Sequence, residues 1–191
     1  MFGFGKKKPD YFSSKVLMTR AALNKLLIER LCKKEILAIT FFTSTRAELL
    51  KDLNDESLHN TVINADKILN GNAIPGITSF LNSPGKKVVF IERYPLNTYE
   101  VQVAEKLATN GIPAPYDIFA TLDDALMLHA GGERVKALML KMGMKEDEII
   151  EHNLIESSIE NLQAKIAKKI SFESHFSSPE EWFRINLPES L

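Results

Sequence analysis

Four histidines, one cysteine, an adjacent pair of aspartates and a run of three hydroxyl residues are the side chains from which this 191-residue chain could assemble chemistry. His59, His129, His152 and His175 lack the three- or four-residue spacings that put two ligands on one helix face, so no metal site is expected. Cys32 is alone, which excludes an intramolecular disulfide and any multi-cysteine metal site; it reads as a small apolar helix residue. Asp123 and Asp124 could hold a metal or move a proton. At the head of an apolar stretch they fit better as helix caps, where negative charge meets the positive end of the dipole. Thr43, Ser44 and Thr45 could offer a nucleophile, but no histidine is near them in sequence, and capping of a following helix accounts for them. Phosphate chemistry would need G-x-x-x-x-G-K-[ST], which occurs nowhere in the sequence. Gly3-Phe-Gly-Lys-Lys-Lys8 has the wrong spacing and no hydroxyl after its lysine. Without such a loop no cradle of backbone N–H groups awaits a phosphate. Neither a catalytic residue nor a cofactor is expected.

Elements must position these residues. A composition of 45% hydrophobic and 26% charged residues is that of an ordinary globular chain, long enough for one sizeable domain with a helical extension. The formal net charge is −1, and basic residues are scattered among acidic ones, which argues against nucleic acid as a partner. No apolar run approaches the roughly 18 residues of a membrane span, and the N-terminus lacks a signal-peptide layout. A cytoplasmic location with no transmembrane segment is therefore expected. Residues 1–12 mix glycine, lysine and proline and read as a flexible terminus; the alternative is a weak membrane-surface contact through Phe2 and Phe4 beside Lys6, Lys7 and Lys8.

From residue 13 or 14 to 34, apolar residues from Val16 and Leu17 to Leu31 recur at helical spacing and predict one amphipathic helix with a serine cap. Residues 36–42 predict a buried strand, and 46–53 the helix after it. Further strands are predicted at 61–64 and 88–91, while Gly71, Pro75, Gly76, Pro84 and Gly85 leave 68–85 unassigned. A helix over 98–110, stopped by Gly111 and Pro113, leads to a fourth strand at 117–121. This alternation implies an α/β fold with a mostly parallel sheet. Helices follow at 122–129, 132–142 and 153–170. The last carries Leu154, Ile155, Ile159, Leu162, Ile166 and Ile170 as a stripe that must pack on something. The tail, 177–191, holds Trp182, Phe183 and Ile185 between prolines and is expected to dock either back on the domain or on a partner. The expected division is a flexible segment 1–12, an α/β domain 13–130, and a helical extension with tail 131–191.

The stretch Phe119-Ala-Thr-Leu-Asp-Asp-Ala-Leu-Met127, followed by Gly131-Gly-Glu-Arg-Val-Lys-Ala-Leu-Met139 and Met142-Gly-Met144, resembles the SecA family of preprotein translocase ATPases. There a strand ending in SLEDDLM leads to FGGERI..LM..LGM. Ile149-Ile-Glu-His152 stands in the place of that family's PIEH, which gives His152 a helix-starting role, and Ser158-Ile-Glu-Asn161 with Gln163 is similar to AIENAQ. Upstream, Glu92-Arg93 falls on GTER, and residues 102–113 fall on QLRGRSGRQGDP. With one-residue slips, 37–50 is similar to VLVGTxSxxxSELL and 59–67 to HxVLNAK. The resemblance covers roughly 36–170 except 68–85, where a shorter sequence replaces TIATNMAGRGTDI. It implies the second RecA-like motor domain plus the start of the helical scaffold: a three-layer, mostly parallel, P-loop NTPase-like sheet with a helical C-terminal extension.

The departures from the family pattern carry the functional expectation. Motors of this class bind ATP between two RecA-like domains, and arginines from the second stabilise charge on the γ-phosphate, an effect on the order of a thousandfold in rate. At the three arginine positions this sequence has Ala104, Lys106 and Thr109; neither Ala nor Thr can replace a guanidinium, and Lys106 lacks its bidentate geometry. What the resemblance implies is a vestigial nucleotide edge, Arg93, Gln102, Lys106 and Gly111, on a degenerate ATPase domain that does not turn over ATP. The expected function is a protein-binding or accessory module linked to protein export, with the export machinery as partner. One alternative is a subunit that completes in trans the ATP site of a separate phosphate-loop protein, using Lys106 and Arg93. Another is an unrelated enzyme, whose ligand would sit at the carboxyl ends of strands, near 43–46, 64–67 and 93–97.

Overall fold

The structure, a computed structural model, describes residues 11–187, so the N-terminal Phe2, Phe4 and lysine group lies outside the described residues. Its first half runs β1 (Phe12–Leu17), α1 (Arg20–Cys32), β2 (Ile36–Thr40), α2 (Thr43–Asp52), a 3-10 turn (Glu56–Thr61), β3 (Val62–Asn64), α3 (Ala65–Leu69) and α4 (Ile74–Leu81). β4 (Lys87–Phe90), α5 (Asn97–Thr109) and β5 (Tyr116–Thr121) complete the sheet region; α6 (Ala125–His129), α7 (Gly132–Lys141), α8 (Asn153–Lys169) and α9 (Pro179–Asn186) follow. The five strands lie in the order β1-β5-β4-β2-β3, and every pairing is parallel.

The strands are apolar on both sides because helices cover both faces, as parallel sheets require. Ile36 and Ala38 of β2, Val89 of β4 and Phe119 of β5 turn toward α1 and α2, where Leu23, Leu27, Leu31 and Leu49 meet them. Their neighbours Leu37, Ile39, Val88, Phe90, Ile118 and Ala120 turn the other way, onto α5, α8 and α9. This is the expected three-layer α/β architecture, consistent with a RecA-like fold.

Two sequence expectations change. The single helix over 13–34 divides: Phe12 to Leu17 pair with Tyr116 to Thr121 as the edge strand, and Thr19, in extended conformation, ends it. The Thr19 hydroxyl then accepts the Ala22 N–H at 3.2 Å and caps α1. Val16 and Leu17 belong to the strand, leaving Leu23, Leu27 and Leu31 as the helical stripe; Cys32, expected among the apolar residues, is exposed. Within 68–85 the proline and glycine that obscured the pattern sit at the start of α4, where Pro75 occupies the first turn and needs no N–H partner.

Beyond β5, the helices join the α5 side of the sheet. α8 buries Ile155, Ile159, Leu162 and Ile166, whereas Leu154 is 71% exposed, and Ile150 bridges to Val16 by two backbone hydrogen bonds. The tail docks back: Trp182 and Phe183 of α9 enter the same core cluster. Gly132 starts α7 so close to α6 that a Cβ would lie 2.1 Å from the Leu122 carbonyl oxygen, which accounts for a glycine there. The rest of α7 is loosely covered, with Leu138, Leu140 and the C-capping Met142 exposed.

Candidate functional site

β2 connects to β3 in one direction along the sheet and β4 connects to β5 in the other, so a topological switch point lies outside the carboxyl ends of β2 and β4. A cleft of about 230 Å³ opens there, lined in part by Arg20, Thr45, Glu92, Arg93, Asp124 and Phe183. Its volume is below the range of roughly 300–1,000 Å³ usual for small-molecule sites.

Glu92 follows β4 and forms one wall. Its Oε1 accepts the N–H groups of Phe41 and Phe42 at 2.6 and 2.9 Å, and its Oε2 accepts the Thr45 hydroxyl at 2.6 Å. The backbone donors at the head of α2 are thus held by this chain's own carboxylate. The expected caps from Thr43, Ser44 and Thr45 do not form: Phe42 is the capping position, with no side-chain bond, and Thr45 is a donor to Glu92. Burial pushes the Glu92 carboxyl up to about 7, against the pull of Arg20 and of its three donors.

Arg20 and the aspartate pair form the opposite wall. The Arg20 backbone N–H donates to Asp123 Oδ1 at 2.9 Å; its guanidinium donates to the Ile91 carbonyl at 2.8 Å and to Asp124 Oδ1 at 2.7 Å. Asp124 also accepts the Thr121 N–H and hydroxyl. The two aspartates therefore do not cap the helix that follows them in sequence. Asp123 caps α1, more than a hundred residues earlier, and Asp124 makes no cap bond to α6.

Arg93 turns to the other side of the sheet. Its Nε donates to Glu100 Oε1 at 3.0 Å, Nη1 to Glu156 at 3.3 Å and Nη2 to the Gln163 carbonyl oxygen at 3.5 Å. Gln163 returns a bond to the Tyr94 carbonyl at 2.7 Å, and the Tyr94 N–H donates to Glu100. Burial pushes the Glu100 carboxyl up despite Arg93.

The other residues of the expected nucleotide edge are not gathered around Arg93. Gln102 is exposed and Lys106 half-buried, one helical turn apart on α5. Gly111 forms the left-handed turn, φ 80°, just past the far end of that helix. The Arg93 guanidinium sits at the level of Glu100 in the first turn of α5, so Gly111 lies about 16 Å further along the helix axis. The arginine-motif positions themselves are unlike one another. Ala104 is in the core, and the Thr109 hydroxyl donates to carbonyls of its own helix, Glu105 and Lys106.

The histidines are equally dispersed, and among the described residues no group of three or more His, Cys, Asp or Glu is placed to hold a metal. His152 Nδ1 accepts the Leu154 N–H at 3.1 Å and starts α8, in the place the family resemblance gives it. His129 stacks on Phe183 with centroids 4.6 Å apart, and His175 lies near the Tyr94 hydroxyl. Sequence reasoning missed Arg20, Glu100 and Glu156 as site residues; nothing local distinguishes them, because each acts through a partner 7 to 104 positions away. Among the described residues no helix is long and apolar enough to cross a membrane.

No protein-family model matches the chain. Over 86 residues, 45% of this chain and 10% of the relative, it is 36% identical to protein translocase subunit SecA of Acinetobacter baumannii (strain ATCC 17978). It is 35% identical over 89 residues to SecA of Psychrobacter sp. (strain PRwf-1), covering 47% of this chain and 10% of that one. It is 37% identical over 82 residues to SecA of Alkaliphilus oremlandii (strain OhILAs), covering 43% and 9%. The chain contains a SecA-like region and spans about a tenth of the length of these relatives.

Proposed function

We propose that this chain is an ATPase-inactive, SecA-related module, built on the second RecA-like motor domain and the start of its helical scaffold, that binds a protein of the export machinery on the cytoplasmic side. The observation that carries this reading is the commitment of Arg93. It is the one arginine left at the expected nucleotide edge, and each of its three guanidinium nitrogens donates inward, to Glu100, Glu156 and Gln163, on a side chain only 2% exposed. A guanidinium so engaged has no fork to offer a phosphate. The head of α2 is likewise occupied, by Glu92. For a binding role, the end of α7 supplies the surface: Leu138 and the C-capping Met142, four positions apart and so on one side of the helix, are 54% and 69% exposed, and adjacent exposed apolar residues mark protein contact.

The test has two arms. Calorimetry of the full chain with ATP, ADP and a non-hydrolysable analogue is expected to give no saturable heat. A photo-crosslinking residue at Leu138 is expected to capture a translocation component in cells, while the same residue at Lys33, exposed at the end of α1, captures none. Saturable nucleotide binding abolished by Arg93→Ala, or identical capture from both positions, overturns the reading.

A further inference from the structure

The described chain ends on a segment that lies over the switch-point cleft. α8 stops before Ile170, residues 171–178 have no regular structure, and α9 adds only eight residues. A helix of that length does not persist alone in water. It exists here because Trp182 and Phe183 are buried against the body, 0% and 6% exposed. Trp182 packs edge-on to Tyr94, Phe183 stacks on His129, and Glu173 accepts both the Trp182 indole N–H and the Tyr94 hydroxyl. The Ser177 carbonyl accepts the Ser44 N–H at 2.9 Å in the first turn of α2, and Pro179 and Phe183 form part of the cleft lining.

We propose that residues 171–187 are a displaceable strap, forming one wall of this cleft in place of a partner's segment, and that the surface beneath takes a short amphipathic helix bearing two adjacent aromatic residues. The segment is built to leave as one piece. Asn186 closes it on itself, accepting the Ser174 N–H and donating to the Ser174 carbonyl, each at 2.9 Å. It makes no strand pairing with the sheet, and its connector carries Phe172 at 83% exposure. Elements held by a few side-chain anchors open locally well before the global fold. The surface left behind is complementary to what covers it: stacked rings of Phe42 and Tyr94 with His129 beside them, and the Ser44 N–H as a stop for a chain carbonyl. The inference rests on the geometry of the cleft and holds whether or not the partner belongs to the export machinery.

Trp182 is the only tryptophan, so its fluorescence reports the strap alone. In urea titration of the full chain, Trp182 emission and acrylamide quenching are expected to change at lower denaturant than the far-UV circular dichroism; coincident transitions overturn the proposal. A labelled peptide of residues 172–187 added in trans is expected to bind Phe183→Ala about tenfold more tightly than the unaltered chain, because its cleft is more often open. Equal binding to both chains, or no saturable binding to Phe183→Ala, overturns it. So does a Phe183→Ala chain without native far-UV signal, since a strap whose loosening unfolds the body is not displaceable.

Discussion

Glu92 and Arg93 are adjacent in the chain and serve two charge clusters on opposite faces of the sheet's carboxyl edge. On the α1–α2 side, Glu92 is surrounded by donors that carry no charge of their own, two backbone N–H groups and a hydroxyl, with Arg20 bound to Asp124 nearby. On the α5–α8 side, Arg93 and Glu100 form an ion pair whose side chains are 2% and 0% exposed, tied to α8 through Glu156 and Gln163. The first cluster borders the cleft, and its carboxylate titrates near neutrality. In the second the Arg93–Glu100 pair is buried, and two carboxylate oxygens, on Glu100 and Glu156, have no hydrogen-bond partner. A strand end that alternates its faces sends one acidic and one basic residue to different tasks: Glu92 fixes the head of α2, and Arg93 fastens the helical extension to the sheet.

Breaking the buried pair has the largest expected effect. Arg93→Met keeps the length of the side chain and leaves Glu100 buried without a counter-charge, which destabilises by about 3–5 kcal/mol. Chemical denaturation measures it, and adding Glu100→Gln is expected to restore part of the loss, because the buried charge then disappears. A single-variant loss below about 1 kcal/mol would mean that α8 is held by its apolar stripe alone.

The cleft-side cluster is expected to respond to pH instead. Glu92 in the folded chain titrates at about 7, above its ordinary 4.5, so the native state holds the proton more tightly. The stability this protonation contributes is full below the unfolded value and is lost as pH rises through 7. Glu92→Gln keeps an acceptor for Phe41 and Phe42 but cannot ionise. Between about pH 5 and pH 8 the unaltered chain should lose on the order of 3 kcal/mol relative to this variant. Parallel stability profiles for the two chains would show that Glu92 titrates as an ordinary carboxylate.

Most of this framework was legible in the sequence where an element buries both faces or one clean stripe. The runs at β2, β4 and β5, the extent of α5 and the stripe of α8 fall within a few residues of expectation, because periodicity and local breakers decide them. β1 was not legible: as an edge strand it carries Ser13, Ser14 and Lys15, and its two buried residues, Val16 and Leu17, are in phase with the leucines of α1. Its signal was Thr19, a capping residue mistaken for a position inside the helix. The caps failed for a different reason. Asp123, Thr45 and Glu92 are satisfied across 103, 47 and 47 positions of sequence, by contacts that exist only once the sheet has formed. Sequence could identify residues able to cap, but not which helix each would reach.

The smallest expected effect comes from the residue outside both clusters. Lys106 is half-buried on α5, beyond the Glu100 turn and away from the cleft lining. Lys106→Ala is expected to change stability by less than about 0.5 kcal/mol, as surface substitutions do. That insensitivity makes it the discriminating variant for the reading in which this chain completes the ATP site of a separate phosphate-loop protein, since Gln102 and Lys106 both remain toward the surface of α5. Under the proposed function, adding the full chain to such a protein leaves its ATPase rate unchanged, with or without Lys106→Ala. Stimulation that disappears in Lys106→Ala while Arg93→Met alters only stability would assign the nucleotide contact to α5 and leave Arg93 as a fastener.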